Sequence, residues 1–116
     1  MKFQYSELEN DIRLIKLNGQ LDYNGTYDIE IEFIRHCAGD KVRLLVDLSK
    51  VNYISSIGIP LLANAAKLVE SHGGKMGLLS PQRNVVDVLE LVGVSNIIPV
   101  YHDLNSAKTG ILQDRY

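Results

Sequence analysis

Val42-Arg43-Leu44-Leu45-Val46-Asp47-Leu48 leads through Ser49-Lys50-Val51-Asn52-Tyr53-Ile54-Ser55-Ser56 into Ile57-Gly58-Ile59-Pro60-Leu61-Leu62. The first seven residues are short, rich in aliphatic side chains and nearly unbroken in apolar character, as in a strand buried on both faces. They predict the central strand of a sheet. After the connecting segment 49–56, residues 59–72 place Leu61, Leu62, Ala65, Leu68, Val69 and His72 on one side of a helix. Asn64, Lys67, Glu70 and Ser71 take the other side. Pro60 has no N–H to give to the carbonyl four residues back, so it belongs in the first turn and the helix should begin close to Gly58.

The same alternation continues outward in both directions. Ile12, Leu14 and Leu17, with Arg13 and Lys16 between them, predict a strand closed by Asn18-Gly19. Phe3 and Tyr5 alternate with polar neighbours and predict an antiparallel partner, joined through Glu9-Asn10-Asp11. Ile29, Phe33 and Cys37 recur at helical spacing, with Ile31 and Ile34 widening the stripe, so 25–37 reads as a helix ended by Gly39. Past Gly73-Gly74, residues 75–79 form a strand, and Ser80-Pro81 reads as the cap and first residue of a helix. Its buried stripe is Val85, Leu89 and Val92, and Gly93 is its C-terminal cap. Ile97 to Tyr101 is a last strand, with Asp103 or Asn105 opening a terminal helix. Strands separated by helical crossovers make a mostly parallel sheet, because a helix returns the chain along the sheet with its backbone satisfied. The expectation is one α/β domain over 1–116, with a mixed, mostly parallel sheet of four to five strands and about four helices.

Composition narrows the function. Across 116 residues, 46% are hydrophobic and 22% charged, ordinary values for a folded chain able to bury one core. A net charge of -2, with Lys and Arg scattered, leaves no positive excess to release counterions from a phosphate backbone, so nucleic acid is not an expected partner. The longest apolar run, Ile57 to Ala63, is too short for a membrane span. The first residues lack the pattern of a signal peptide and the single Cys37 cannot form an internal disulfide, so a cytoplasmic location is expected.

Ser55 and Ser56 sit at the junction between loop and helix. There the unpaired N–H groups and the positive end of the helix dipole favour a phosphate or another anion. Serine is also a preferred N-cap, and the local pattern by itself leaves both roles open.

The segment Tyr53-Ile54-Ser55-Ser56-Ile57-Gly58-Ile59 resembles one found in STAS-domain anti-sigma factor antagonists, which reads aromatic, apolar, Asp, Ser, any residue, Gly, Leu. In that family the Ser is the phosphorylated residue, and Ser56 takes its position. Leu17-Asn18-Gly19-Gln20-Leu21-Asp22 is similar to the family's early Gly-Glu-Leu-Asp turn, Leu45-Val46-Asp47-Leu48 to its central strand, and Val88-Leu89-Glu90-Leu91-Val92-Gly93-Val94 to its Leu-Glu-x-x-Gly-Leu signature. Ser55 replaces the family's acidic residue, and Pro60 replaces a frequent Gly.

The resemblance implies an anti-sigma factor antagonist rather than an enzyme. It implies a partner that is an anti-sigma factor of the GHKL serine-kinase type, a PPM-type phosphatase, and phosphorylation at Ser56. Tyr53, Ser55, Ser56, Ile57, Gly58 and Ile59 are the implied partner-binding residues; of the apolar ones, Tyr53 is the one most expected to turn into the core. The alternative is a STAS scaffold independent of phosphorylation, or a module that binds a small or lipid ligand. Both monomer and weak dimer stay open.

Other residues point to no second chemistry. Asp47, at the predicted end of the central strand, invites comparison with a receiver phosphoacceptor, but no acidic pair follows the first strand and no Lys ends the last. His36, His72 and His102 are far apart, and Cys37 diverges from His36 by about 100° on a helix, so no metal site is expected. Cys37 reads as core, and Ser49 and Ser80 as turn and cap residues. No glycine-rich nucleotide loop or other cofactor motif occurs, and no acid–base pair, nucleophile triad or metal cluster can be assembled.

Overall fold

The computed structural model describes residues 1–113. Five strands, β1 (Lys2–Glu7), β2 (Ile12–Leu21), β3 (Arg43–Ile54), β4 (Lys75–Leu79) and β5 (Val100–Tyr101), lie side by side in sequence order. The β1–β2 pair is antiparallel and every later pair is parallel. Helices α1 (Tyr23–Arg35), α2 (Gly58–Ser71) and α3 (Arg83–Leu91) are the crossovers, and α4 (Leu104–Leu112) follows β5. Because each crossover steps one strand over in the same direction and such connections are right-handed, α1, α2 and α3 share one face of the sheet.

That face carries the main core. Phe33 from α1, Leu62 and Val69 from α2 and Leu89 from α3 close over Ile15, Leu44, Val46 and Leu78. On the opposite face α4 brings Ala107 and Ile111 onto Ile12, Leu14, Leu45 and Leu79. Beyond α4 this face is open and polar, lined by Lys2, Gln4, Lys16, Asn18 and Asp47. Cys37 is buried, and burial pushes its thiol up to about 11, consistent with the core role expected of it.

Several boundaries differ from the sequence expectation. The central strand runs on to Ile54 instead of ending at Leu48, since 49–54 pair with the end of β2 across two register shifts. The shifts space the inward residues Leu48, Val51 and Ile54 by three, so the segment lacks the two-residue period that marks a strand. Asp47 therefore lies inside β3, with its Oδ1 accepting the Ser49 N–H at 2.9 Å, and is not at a strand's carboxyl end as a receiver phosphoacceptor would be. Helix α1 starts at Tyr23, two residues early, because the Asp22 carboxylate caps it by accepting the Gly25 N–H at 2.8 Å. Ile31 falls on its exposed side, and His72, just past α2, is exposed rather than core.

Ser80 and Pro81 do not open α3. Ser80 has φ 53° and is tied to β5 through its N–H to the Tyr101 carbonyl at 2.7 Å, so the helix begins at Arg83 after an extended Gln82. It ends at Leu91 and leaves Val92 exposed, while Gly93, at φ 82°, closes it as expected. The last strand shrinks to Val100–Tyr101 because Val94–Asn96 forms a 3-10 turn and Ile97 keeps helical angles. Asp103 caps α4 by accepting the Ser106 N–H, one of the two starts expected.

Candidate functional site

The carboxyl ends of β2 and β3 and the amino ends of α1 and α2 converge on one edge of the fold, the place where parallel α/β sheets present functional residues. Leu21, the last residue of β2, anchors the convergence. Its carbonyl accepts both the Ser55 N–H and the Ser55 hydroxyl, each at 3.0 Å. Ser55 Oγ in turn accepts the Ile57 N–H at 3.1 Å, and the Ser55 carbonyl accepts the Gly58 and Ile59 N–H groups at 3.1 and 3.2 Å. Neither serine caps α2, whose N-cap is Ile57; Ser55 instead ties the preceding turn to β2. A Ser in place of an acidic residue suits this geometry, because a hydroxyl can donate to the Leu21 carbonyl while accepting from Ile57, whereas a carboxylate only accepts.

Gly58 is required by the same junction. It is buried, and a Cβ there would stand 2.7 Å from the Leu21 carbonyl oxygen and 2.9 Å from Leu21 Cβ. Its part in the site is to let α2 start hard against β2, and it offers no surface to a partner. Ile59 is half-buried and packs on the core.

Three of the sequence-predicted residues face outward together. Ser56 is exposed, and its hydroxyl has no hydrogen-bond partner among the described residues. Tyr53 is 49% exposed and Ile57 47%. Tyr53 was the one expected to turn inward; it does not, because the register shifts in β3 put Val51 and Ile54 in the core instead.

The helix amino end is not an open anion cradle. The N–H groups of Ile57, Gly58 and Ile59 are already spent on Ser55, and Pro60 has none. Sequence reasoning also overlooked an exposed stripe on α1, Tyr23, Tyr27 and Ile31, of which Tyr23 and Tyr27 line a groove opposite Ile57 and Pro60. Its signal was available in the i, i+4, i+8 spacing directly after the Asp22 cap.

The STAS domain model matches residues 6–107. The chain belongs to the STAS domain family. A Thermotoga neapolitana protein provisionally named an anti-sigma factor antagonist is 32% identical over 65 residues, which are 56% of this chain and 58% of that one. A STAS domain protein from Planctomyces limnophilus, named an anti-sigma-factor antagonist, superposes with a TM-score of 0.86 at 19% identity, covering 96% of this chain and 98% of that one. The Bacillus cell fate determinant SpoIIAA in its phosphorylated form superposes at 0.70 and 17% identity, over 94% and 99% of the two chains. Among the described residues of this STAS chain no helix is long and apolar enough to cross a membrane.

Proposed function

We propose that this STAS domain is an anti-sigma factor antagonist whose docking on an anti-sigma factor is switched by phosphorylation of Ser56. The observation that carries the proposal is the division of labour between adjacent serines. Ser55 has its hydroxyl engaged as donor and acceptor inside the β2–α2 junction, while Ser56 beside it is exposed and unengaged. A kinase can reach the second without disturbing the fold. The existence of a similar fold solved in a phosphorylated form supports the same chemistry here.

Unmodified Ser56 adds no charge to the surface formed with Tyr53 and Ile57, so the two apolar side chains can lose water against a partner. A phosphate brings roughly -1.5 to -2 charges at neutral pH. The N–H groups of Ile57, Gly58 and Ile59 are already bonded, so they do not draw that charge inward, and docking must either desolvate it or fail. Modification therefore releases the partner. The partner's GHKL-type kinase activity adds the phosphate from ATP, and a PPM-type phosphatase removes it, in the cytoplasm where ATP is available. The chain itself acts as a substrate and a binding surface. The engagement of the Ile57, Gly58 and Ile59 N–H groups with Ser55 also argues against an anionic small ligand at this helix end.

The test pairs Ser56→Ala with Ser56→Asp against the cognate anti-sigma factor. Ser56→Ala should bind as the native chain does and take up no phosphate. Ser56→Asp should lose on the order of 1–3 kcal/mol, a lower bound on the effect of phosphate because it carries a single charge. Mass spectrometry after incubation with kinase and ATP, with Ser55→Ala as the control, locates the acceptor. A complex that forms with no phosphate ever appearing on Ser56 replaces the switch with a phosphorylation-independent scaffold.

A further inference from the structure

Beside Ser56 runs a groove of about 250 Å³ between α1 and α2, walled by Tyr23, Tyr27 and Ile34 on one side and by Ile57, Pro60 and Leu61 on the other. Ile57 belongs both to this groove and to the surface around Ser56, so the two are continuous. Tyr27 is 75% exposed, and Tyr23 and Ile31 extend the apolar ridge along the helix on either side of it. At 1.5 Å per residue, the ridge from Tyr23 to Ile31 spans about 12 Å, two turns of a helix laid alongside. Thr26 Oγ1 in the groove is buried with no hydrogen-bond partner, so the chain by itself leaves a polar group here unpaired.

Charge decides what fits. Glu30 is the charged residue lining the groove, and among the described residues it makes no ion pair or hydrogen bond. By contrast Asp28 meets the N-terminal ammonium at 3.4 Å and Glu32 meets Arg35 at 2.7 Å. Packing α1 of a second copy on this ridge would bring two unpaired Glu30 carboxylates together, and like charges across a desolvated contact are costly. A helix carrying a basic residue reverses that sign.

We propose that the α1–α2 groove receives an amphipathic helix of the anti-sigma factor, its apolar i, i+3/i+4, i+7 face lying on Tyr23, Tyr27 and Ile57 and a Lys or Arg meeting Glu30. This deepens the partner reading above and rests on it. The helix lies over the furrow that α1 and α2 leave in the layer they form with α3. Docked there, it ends beside Ser56, which explains how a phosphate outside the groove disturbs what lies within it.

The experiment measures affinity of the full chain for the cognate anti-sigma factor by isothermal titration calorimetry, with Tyr27→Ser, Glu30→Gln and Glu30→Lys beside the native chain and Ser56→Asp. Both groove side chains are exposed, so the variants should keep their far-ultraviolet circular dichroism. Tyr27→Ser and Glu30→Lys should each weaken binding tenfold or more, Glu30→Gln less, and replacing the contacting basic residue of the partner with Glu should restore affinity for Glu30→Lys. If Ser56→Asp still weakens binding while every groove variant stays within twofold of the native chain, the groove proposal falls and the antagonist reading stands. If the anti-sigma factor does not bind the native chain, both fall. Sedimentation that shows a concentration-dependent dimer lost in Tyr27→Ser makes a second copy the occupant and likewise overturns the proposal.

Discussion

Two neighbouring serines with the same side chain occupy opposite chemical situations, and only their hydrogen bonds separate them. Ser55 is bonded on both sides to Leu21 and Ile57, and Ser56 is left to solvent. The motif points to Ser56 by position, and the serine cap that local sequence suggested is made by neither residue, since α2 opens at Ile57 with no side-chain cap. Gly58 is the other residue on which this junction turns. Gly58→Ala should lower stability by about 1–3 kcal/mol, since its new methyl must push against the Leu21 carbonyl and Leu21 Cβ at the start of a packed helix. Urea unfolding of the variant measures this, and a midpoint equal to that of the native chain would contradict the close packing. The exposure of Tyr53 was illegible for a related reason: in a strand with regular pairing it would follow a two-residue alternation, and the bulged register of β3 removes that alternation.

At the scale of elements, the helices on the two faces serve different ends. Helices α1 and α2 build the candidate site, whereas α4 covers part of the other face, over Ile12, Leu14, Leu45 and Leu79. Its tightest approach is at Gly110, where an added Cβ would overlap the Tyr101 ring and where Lys75 Nζ donates to the Gly110 carbonyl at 2.8 Å. Gly110→Ala should therefore displace α4 and cost roughly 1–3 kcal/mol of stability while leaving affinity for the proposed anti-sigma factor partner unchanged. Thermal unfolding alongside the binding measurement separates the two, and a loss of affinity equal to that in Tyr27→Ser would show that the faces are coupled. Boundaries of elements were the part least visible in the sequence. Pro81 looks like a first helical residue, but the bond from the Ser80 N–H to the Tyr101 carbonyl holds the chain in an extended course to Gln82.

For the whole molecule, burial sets a pH limit. Burial raises the Cys37 thiol from the ordinary 9.0 to about 11, and it raises the Tyr5 and Tyr101 phenols as well. Each is an acid that stays protonated longer in the folded chain than in the unfolded one. Its contribution to stability is complete below the unfolded pKa and is lost as pH rises through the folded one. The urea midpoint should thus fall as pH climbs from about 9 toward 11, and Cys37→Ala should fall less steeply. A midpoint constant across that window in the native chain would mean that the thiol is not buried as the fold has it. Below it, alkylation of Cys37 should proceed only as fast as the protein opens globally.

The α/β class, the order of strands and helices, the central strand and the family resemblance all follow from periodicity and short motifs, because apolar spacing and turn residues act within a few positions of one another. The candidate role of Ser56 rests on a short motif of the same kind. Which serine is engaged and which stays free depended on Leu21, distant in sequence, whose carbonyl claims the Ser55 hydroxyl. The exposure of Tyr53, the burial of Gly58 and the groove between α1 and α2 likewise arise where β2, β3 and two helices meet. Such contacts join residues far apart along the chain, so only the tertiary structure could decide them.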